Sequence, residues 1–197
     1  MTDNPVFAPG LFAGRHVLVT GGATGIGFGI ARELGGLGAR VTLASRDPAK
    51  LDDAVARLRT EGIAAARQVL NIRDAAAIEA LFATLAATGD LPDALINNAG
   101  GQFSAPALET SANGFRAILD LNLQGGFQMC RAYAAALVAQ GRRGHIVNIV
   151  FAHTGAMPDF AAAAAARAAM VNLTKTLALE WGRHGILVNA IGPGTIE

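Results

Sequence analysis

Short runs of apolar residues alternate along the chain with longer segments in which apolar positions recur at the spacing of a helix. The short runs predict strands at His16–Thr20, Arg40–Ala44, Ala64–Leu70, Ala94–Asn97, His145–Val150 and Ile186–Ile191. The longer segments predict helices at Ile26–Leu37, Pro48–Thr60, Asp74–Ala87 (with Asp74 as the N-cap), about Ala112–Ala139 and about Ala161–Trp181. Buried strands that alternate with helices indicate an α/β fold, in which a doubly wound parallel sheet lies between two layers of helices.

The composition describes a single folded domain without a strong electrostatic signature. Of the 197 residues, 52% are hydrophobic and 16% are charged, a balance typical of an ordered chain. The net charge of +1 gives no reason to expect nucleic acid or a membrane surface as a partner. No targeting segment or membrane-spanning run is visible, and a single cysteine, Cys130, excludes a disulfide within the chain. We therefore predict one domain over residues 1–197, with 1–13 as an N-terminal extension, in the cytoplasm.

A glycine-rich segment, TGGATGIG at residues 20–27, joins the first predicted strand to the first helix. Gly21 permits a turn with positive φ, and Gly25 removes a side chain where the backbone must approach a pyrophosphate. Gly27 lets the helix pack closely against the strand. The N-terminus of the helix then offers free N–H groups and its positive dipole end to the phosphates. The segment therefore predicts a dinucleotide-binding domain of the Rossmann type.

Three further motifs follow in order: Asn97-Asn98-Ala99-Gly100 after the fourth strand, Asn122 within LDLNLQG, and Pro193-Gly194 after the sixth strand. Together with the glycine spacing, they resemble the short-chain dehydrogenase/reductase family over about residue 11 to the end. The resemblance implies an oxidoreductase with a nicotinamide cofactor, and a dimer or tetramer formed through the two long helices. Members of the family continue with a substrate-covering lid and a seventh strand, so we expect this chain to be truncated after its sixth strand.

The end of the second strand bears on the choice between NAD and NADP. An acidic residue there would hold the ribose 2′-hydroxyl, whereas an arginine accommodates a 2′-phosphate. The chain has Ser45-Arg46, and Asp47 is better explained as the N-cap before Pro48. We predict NADP(H) in preference to NAD(H), and we predict no metal site. The predicted cofactor-binding residues are Gly21, Thr24, Gly25, Ile26, Gly27, Ser45, Arg46, Asn71, Ile72, Asn98, Ala99, Gly100, Arg167, Pro193, Gly194 and Thr195.

Three of the catalytic positions implied by the resemblance are substituted. Most of the family uses a serine, a tyrosine and a lysine four residues after the tyrosine. In this chain Phe151, or Val150 with a shift of one residue, stands at the serine position, Ala163 at the tyrosine position and Arg167 at the lysine position. Asn122 remains as the active-site asparagine. Alcohol–ketone interconversion through a phenol is therefore not expected, although Arg167 can still hold the nicotinamide ribose.

The segments NNAGGQF and ARAAMVNLTKTLALEW resemble the peroxisomal trans-2-enoyl-CoA reductases, with 2,4-dienoyl-CoA reductases further away. Reduction of an enoyl thioester places charge on the thioester oxygen, which hydrogen-bond donors can stabilise while water delivers the proton. The first hypothesis is therefore an NADP(H)-dependent reductase of an activated C=C bond, with an acyl-CoA as the small-molecule substrate. The second is a carbonyl reductase or alcohol dehydrogenase with a substitute proton donor such as His153 or Asp159. The third is a non-catalytic NADP-binding protein.

Overall fold

The computed structural model describes residues 6–151 and 155–194. The strands are β1 His16–Thr20, β2 Arg40–Ser45, β3 Ala65–Val69, β4 Ala94–Asn97, β5 Gly144–Ile149 and β6 Ile186–Ile191. The helices are α1 Gly25–Gly36, α2 Pro48–Thr60, α3 Ala75–Ala87, α4 Ala112–Leu119, α5 Gly125–Ala139 and α6 Ala161–Trp181. The strands form one parallel sheet in the order β3-β2-β1-β4-β5-β6, which confirms the predicted doubly wound fold.

One predicted element is wrong in detail. The long helix expected over Ala112–Ala139 is divided into α4 and α5 by a π-helical turn at Asp120–Gln124. A single widened turn leaves the spacing of apolar residues almost unchanged, so the sequence pattern does not reveal it. Asn122 lies inside this turn, where π-helical segments often mark a functional site. The other predicted boundaries agree with the structure to within one or two residues.

Two apolar cores lie on opposite faces of the sheet. On one face, α1 and α2 pack on β1 and β2 through residues such as Leu43, Leu51 and Leu58. On the other face, α3 and α5 pack on the sheet through Phe82 and Met129, among others, and α6 joins them. The central strands are therefore covered by helices on both faces, as is usual for parallel sheets, whereas β6 exposes Leu187 and Ile191 on one face. Among the described residues, no helix combines the length and the apolar content that crossing a bilayer needs.

Because all strands are parallel, their carboxyl ends meet at one edge of the sheet. β1 lies between β2 and β4, so the chain leaves β1 toward one side of the sheet and later returns on the other side at β4. This is the point at which the strand order reverses, and it opens a crevice in which doubly wound proteins bind ligands. The glycine-rich segment and the loop after β4 both lie at this crevice.

The opposite edge of the sheet contains a buried histidine whose protonation opposes folding. His16 Nε2 lies 2.8 Å from Thr42 Oγ1, and His16 is only 6% exposed. Burial, followed by the charge of Arg40, lowers the pKa of His16 below its usual 6.5, although Asp90 and Asp93 act in the other direction. The unfolded chain therefore takes up a proton on His16 in a pH range where the folded chain does not.

We expect the free energy of unfolding to fall as the pH is lowered through and below 6.5, and His16 to contribute no pH dependence well above that value. One proton limits the slope to about 1.4 kcal/mol per pH unit. Urea unfolding between pH 8 and pH 5 measures this slope, and the His16→Gln variant isolates the contribution of His16 from that of the carboxylates. Identical slopes for the wild type and the variant would contradict the prediction.

Candidate functional site

The glycine-rich segment forms a tight turn that opens directly into α1. Gly21 has φ +63° and donates its N–H to Ala44 O at 2.8 Å, which ties the turn to β2. Gly25 has φ +53°, and a Cβ placed on it would meet nothing within 4 Å, so its backbone faces open space. A Cβ on Gly27 would instead overlap the carbonyl oxygen of Gly21. The turn thus presents the first N–H groups of α1 to the crevice, as anion binding requires.

The loop after β4 is fastened to this turn by side chains from both strands. The Oγ1 of Thr20 accepts hydrogen bonds from the N–H groups of Asn98 and Ala99, both at 3.0 Å. The Nδ2 of Asn98 donates to Thr20 O at 3.1 Å and to Gly21 O at 3.3 Å. The role of Thr20 was not predicted from the sequence, although its hydroxyl lies at the end of the central strand, directly before the glycine turn, and that position could have indicated the role.

A cavity of about 240 Å³ lies between these two loops and the ends of β2 and β3. It brings together half of the sixteen residues predicted to bind a cofactor, namely Gly21, Thr24, Ser45, Arg46, Ile72, Asn98, Ala99 and Gly100. Asn71 is exposed beside it and uses its side-chain oxygen to accept from the N–H of Arg73 at 3.2 Å. Pro193 and Gly194 follow β6 but do not line the cavity, and Thr195 lies outside the described residues.

Arg46 lies at the end of β2 with its side chain exposed, between this cavity and a second, more open one of about 550 Å³. Lys50, which the sequence analysis did not select, also lines the second cavity. Asp47 caps α2 as predicted, because its carboxylate accepts from the N–H groups of Ala49 and Lys50 at 3.1 and 3.2 Å. Two cations therefore face this end of the crevice, and the carboxylate of Asp47 caps α2 through Oδ1 and pairs with Lys50 through Oδ2 at 3.8 Å.

Asn122 is buried inside the π-helical turn, and its side-chain amide forms hydrogen bonds with backbone groups only. Its Nδ2 donates to Gly101 O at 2.7 Å and to Ile118 O at 2.9 Å, and its Oδ1 accepts from the N–H of Gly101 at 3.2 Å. The Asn122 side chain therefore fixes Gly101, in the loop after β4, against the π-helical turn. In this geometry Asn122 shapes the wall of the cavity through Gly101.

The residues predicted to stand at the serine and tyrosine positions of the family lie in an apolar cluster. Ala163 is 3% exposed and belongs to a group with Ile118 and Ala162, against which Phe115, Phe151 and Phe160 pack. Phe151 rather than Val150 faces this cluster, because Val150 is buried in the sheet next to β6 and donates its N–H to Ile191 O at 2.8 Å. The adjacent cavity measures only about 10 Å³, so a phenol ring does not fit beside Ala163 without rearrangement.

The only tyrosine of the chain, Tyr133, lies far from this cluster in the fold. It is fully buried between α5 and the sheet, and its hydroxyl donates to Pro92 O at 3.0 Å, before the start of β4. Burial raises the pKa of the Tyr133 phenol above its usual value. Tyr133 is therefore a core residue at the amino-terminal edge of the sheet and has no access to the crevice.

Two loop residues were predicted as alternative proton donors. Asp159 is exposed just before α6 with φ +66°, and its carbonyl accepts from the N–H of Ala105 at 2.9 Å, so it joins the loops after β4 and β5. His153 lies outside the described residues. The structure thus places Asp159 near the mouth of the site and gives no geometry for His153.

Arg167 reaches from α6 into the space between β5 and the loop after β4. Its Nη1 donates to Ile149 O at 2.7 Å, whereas its buried Nε has no partner among the described residues. Burial lowers the pKa of the guanidinium, which nevertheless stays charged at neutral pH. Three features fit a nicotinamide dinucleotide placed across the crevice. They are the glycine turn, where a Cβ on Gly27 would overlap the backbone, the buried Nε of Arg167, which has no partner among the described residues, and the two cations beyond Ser45.

Comparison with known proteins agrees with this geometry. The chain is 38% identical over 186 residues to a probable 2,4-dienoyl-CoA reductase of Bacillus subtilis, covering 93% of this chain and 73% of that protein. The crystal structure of a gluconate 5-dehydrogenase from Burkholderia cenocepacia in complex with NADP and tartrate matches with a TM-score of 0.87 and 34% identity, covering 94% of this chain and 72% of that one. An NAD⁺-bound xylitol dehydrogenase matches with a TM-score of 0.87 and 30% identity, covering 93% and 71%.

These proteins are named for different substrates, and the two solved structures hold different cofactors, NADP in one and NAD⁺ in the other. The family described as short chain dehydrogenase matches residues 15–197, which include every strand and helix of the structure. The chain therefore belongs to the short chain dehydrogenase family of oxidoreductases.

Proposed function

We propose that this chain is an NADP(H)-dependent reductase of an activated C=C bond, that of an enoyl thioester. The observation that supports the proposal is the apolar cluster at Ala163 and Phe151, where most of the family has a tyrosine and a serine. A ketone or an alcohol needs a proton donor or acceptor at its oxygen during hydride transfer. An enoyl thioester spreads the new charge onto its thioester oxygen, so the proton can arrive later from water.

The residues of the chain have separate tasks in this proposal. When bound, NADPH supplies the hydride. Arg46 and Ser45 hold the 2′-phosphate, and the first turn of α1 holds the pyrophosphate. Arg167 holds the nicotinamide ribose through its Nε–H, the donor that has no partner within the described part of the chain. The apolar cluster around Ala163 excludes water from one side of the reacting carbons.

A second candidate function is the interconversion of an alcohol and a ketone, with Asp159 or His153 as the substitute proton donor. The similarity to a gluconate 5-dehydrogenase and to a xylitol dehydrogenase favours it. Against it stands the cost of leaving polyol hydroxyls without partners beside Phe151, Phe160 and Ala163, since a buried unpaired polar group costs about 1–3 kcal/mol. Non-catalytic cofactor binding is the remaining alternative.

Substrate panels distinguish these candidates. Loss of NADPH absorbance is followed with enoyl-CoA and dienoyl-CoA thioesters of several chain lengths, and with ketones and keto acids, while NADP⁺ reduction is followed with polyols. The proposal predicts turnover with the thioesters and little with the other panels. Turnover confined to ketones or polyols, and lost in Asp159→Asn or His153→Ala, would establish the second candidate. Tight NADPH binding without turnover on any panel would establish the third.

We also propose that the chain forms a dimer or a tetramer through α5 and α6. A groove of about 700 Å³ runs between these helices. Its apolar lining consists of three alanines, Val138, Leu179 and Trp181, and polar or charged side chains line the rest, namely Arg131, Glu180, Arg183 and His184. Leu179 is 86% exposed and Val138 is 42% exposed, which is unusual for large apolar side chains that lie side by side. The alanine residues let the helices of a second copy approach closely.

The cytoplasmic location remains a prediction that rests on the single cysteine, Cys130.

Leu179→Asp is expected to weaken self-association by at least about 30-fold, because a charge would be buried at the centre of the interface. Sedimentation velocity over a range of protein concentrations measures the change. Leu108→Asp is the matched control, since Leu108 is fully exposed on a short turn away from α5 and α6. A wild-type protein that remains monomeric at micromolar concentration would refute the proposed assembly.

A further inference from the structure

Arg167 lies against three residues in two segments around the cofactor crevice, the end of β5 and the loop after β4. Its Nη1 donates to Ile149 O at the end of β5, at 2.7 Å. Its Nη2 lies so close to Gly100, in the loop after β4, that a Cβ on Gly100 would overlap it. Its Cζ lies 5.6 Å from the centre of the Phe151 ring, within the range of a cation–π contact. The guanidinium therefore fills the space between the sheet and the loop.

The same loop is held from its other side by Asn122. A Cβ on Gly100 would lie 2.7 Å from Asn122 Oδ1, and Gly101 exchanges two hydrogen bonds with the Asn122 side chain. Gly100 thus sits between the amide of Asn122 and the guanidinium of Arg167. Gly100 lines the cofactor cavity together with Asn98 and Ala99, so these contacts determine the position of that wall.

We infer that Arg167 is a positioning residue that braces the loop at 98–101 before any cofactor binds. Its contacts with Ile149, Gly100 and Phe151 all lie within the chain and need no ligand. One nitrogen of the planar guanidinium donates to the carbonyl of Ile149 while the other lies against the face of Gly100, whereas a lysine presents a single ammonium on a flexible stem. Lysine, which stands at this position in most of the family, would keep the charge but lose the brace.

The contact between Arg167 and Phe151 links two of the substituted family positions. Phe151 replaces a serine and Arg167 replaces a lysine, and the two replacement side chains contact each other. The aromatic ring offers its face to the cation in a partly buried place. The inference rests on the proposed cofactor site, but it is independent of the substrate and of the proposed reaction.

The test compares Arg167→Lys with the wild type in the absence of cofactor. The brace predicts that Tm falls by about 2–4 °C or more, and that the amides of Gly100 and Gly101 exchange with solvent at least about tenfold faster, as measured by hydrogen–deuterium exchange. NADPH binding, measured by calorimetry, weakens by about tenfold because the wall of the cavity is no longer positioned. Arg143→Lys, at an exposed arginine before β5, is the matched control and should change none of these.

A double-mutant cycle with Gly100→Ala tests the contact itself. The added Cβ overlaps Nη2 in the wild type, so the substitution should lower Tm by more in the wild type than in the Arg167→Lys background, where only the approach to Asn122 remains. If Arg167→Lys does not fold, Phe151→Leu takes its place, with a smaller loss of Tm and faster exchange at Gly100 expected.

Two results would overturn the inference. Unchanged Tm and amide exchange with weaker NADPH binding would show that Arg167 is only a cofactor ligand. Unchanged values in all three measurements would show that it is neither a brace nor a ligand. Neither result bears on the substrate panels, and failure of every substrate panel would leave the brace intact, so the inference and the proposed function can fail separately.

Discussion

Gly27→Ala is expected to weaken NADPH binding by at least about 100-fold and to lower the free energy of unfolding by about 1–3 kcal/mol. A Cβ at this position would overlap the carbonyl oxygen of Gly21 and would lie 2.5 Å from Asn98 Nδ2. The carbonyl belongs to the turn that faces the crevice, so it cannot yield without opening that turn. Displacement of Asn98 would also release the loop after β4. Calorimetric titration with NADPH, together with urea unfolding, measures both effects.

Gly29→Ala is the matched control for this prediction. Gly29 lies one half-turn further along α1, where a Cβ would meet nothing within 4 Å. The change should stabilise the helix by about 0.5–1 kcal/mol because alanine is the better helix former. NADPH affinity should stay close to that of the wild type. Equal affinities for Gly27→Ala and Gly29→Ala would show that the close packing of α1 on the turn is not needed for binding.

Arg46→Ala is expected to weaken NADPH binding by about 10- to 100-fold while leaving NADH binding nearly unchanged. A charge-assisted contact between a guanidinium and a phosphate contributes about 1.5–3 kcal/mol, and only NADPH carries the 2′-phosphate. Arg46 is exposed at the end of the crevice, and the nearest carboxylate, Asp47, caps α2 through one oxygen and pairs with Lys50 through the other. Competitive titration of both cofactors against the variant measures the ratio.

The control for the cofactor prediction is Arg143→Ala, which removes an exposed arginine before β5, at the opposite edge of the sheet. It should leave both affinities unchanged. If Arg46→Ala weakens NADH and NADPH equally, Arg46 contacts a part that the two cofactors share, and the preference for NADP(H) loses its physical basis. Lys50→Ala then shows whether Lys50, which faces the same cavity, holds the 2′-phosphate instead.

The alternation of strands and helices was readable from the sequence because it depends on local patterns. β1, α2 and β4 match their predicted bounds, and Asp47 and Asp74 cap helices as their residue types suggest. The glycine turn was equally readable, since positive φ at Gly21 and Gly25 is a property of a few adjacent residues. Signals of this kind depend only on neighbouring residues, so they can be recognised in the sequence before the fold is known.

The site depended on contacts between distant segments, which the pattern does not encode. The role of Thr20 arises from Asn98, 78 residues away, and the brace at Arg167 arises from Gly100 on another loop. The π-helical turn at Asp120–Gln124 adds one residue to a turn without disturbing the apolar spacing. The sequence predicts that the serine, tyrosine and lysine positions are substituted, and only the fold shows that Phe151 and Ala163 belong to one apolar cluster.

Isotope labelling of the product shows whether the enzyme reduces an enoyl thioester with NADPH and without a phenolic acid. The enzyme is incubated with an enoyl-CoA and NADPH deuterated at the transferred position, and separately with unlabelled NADPH in D₂O. We predict a saturated thioester that carries one deuterium from the cofactor in the first experiment and one from solvent in the second. No labelled thioester, together with an alcohol deuterated at its carbinol carbon when a ketone is supplied in place of the enoyl-CoA, would contradict the proposed reaction.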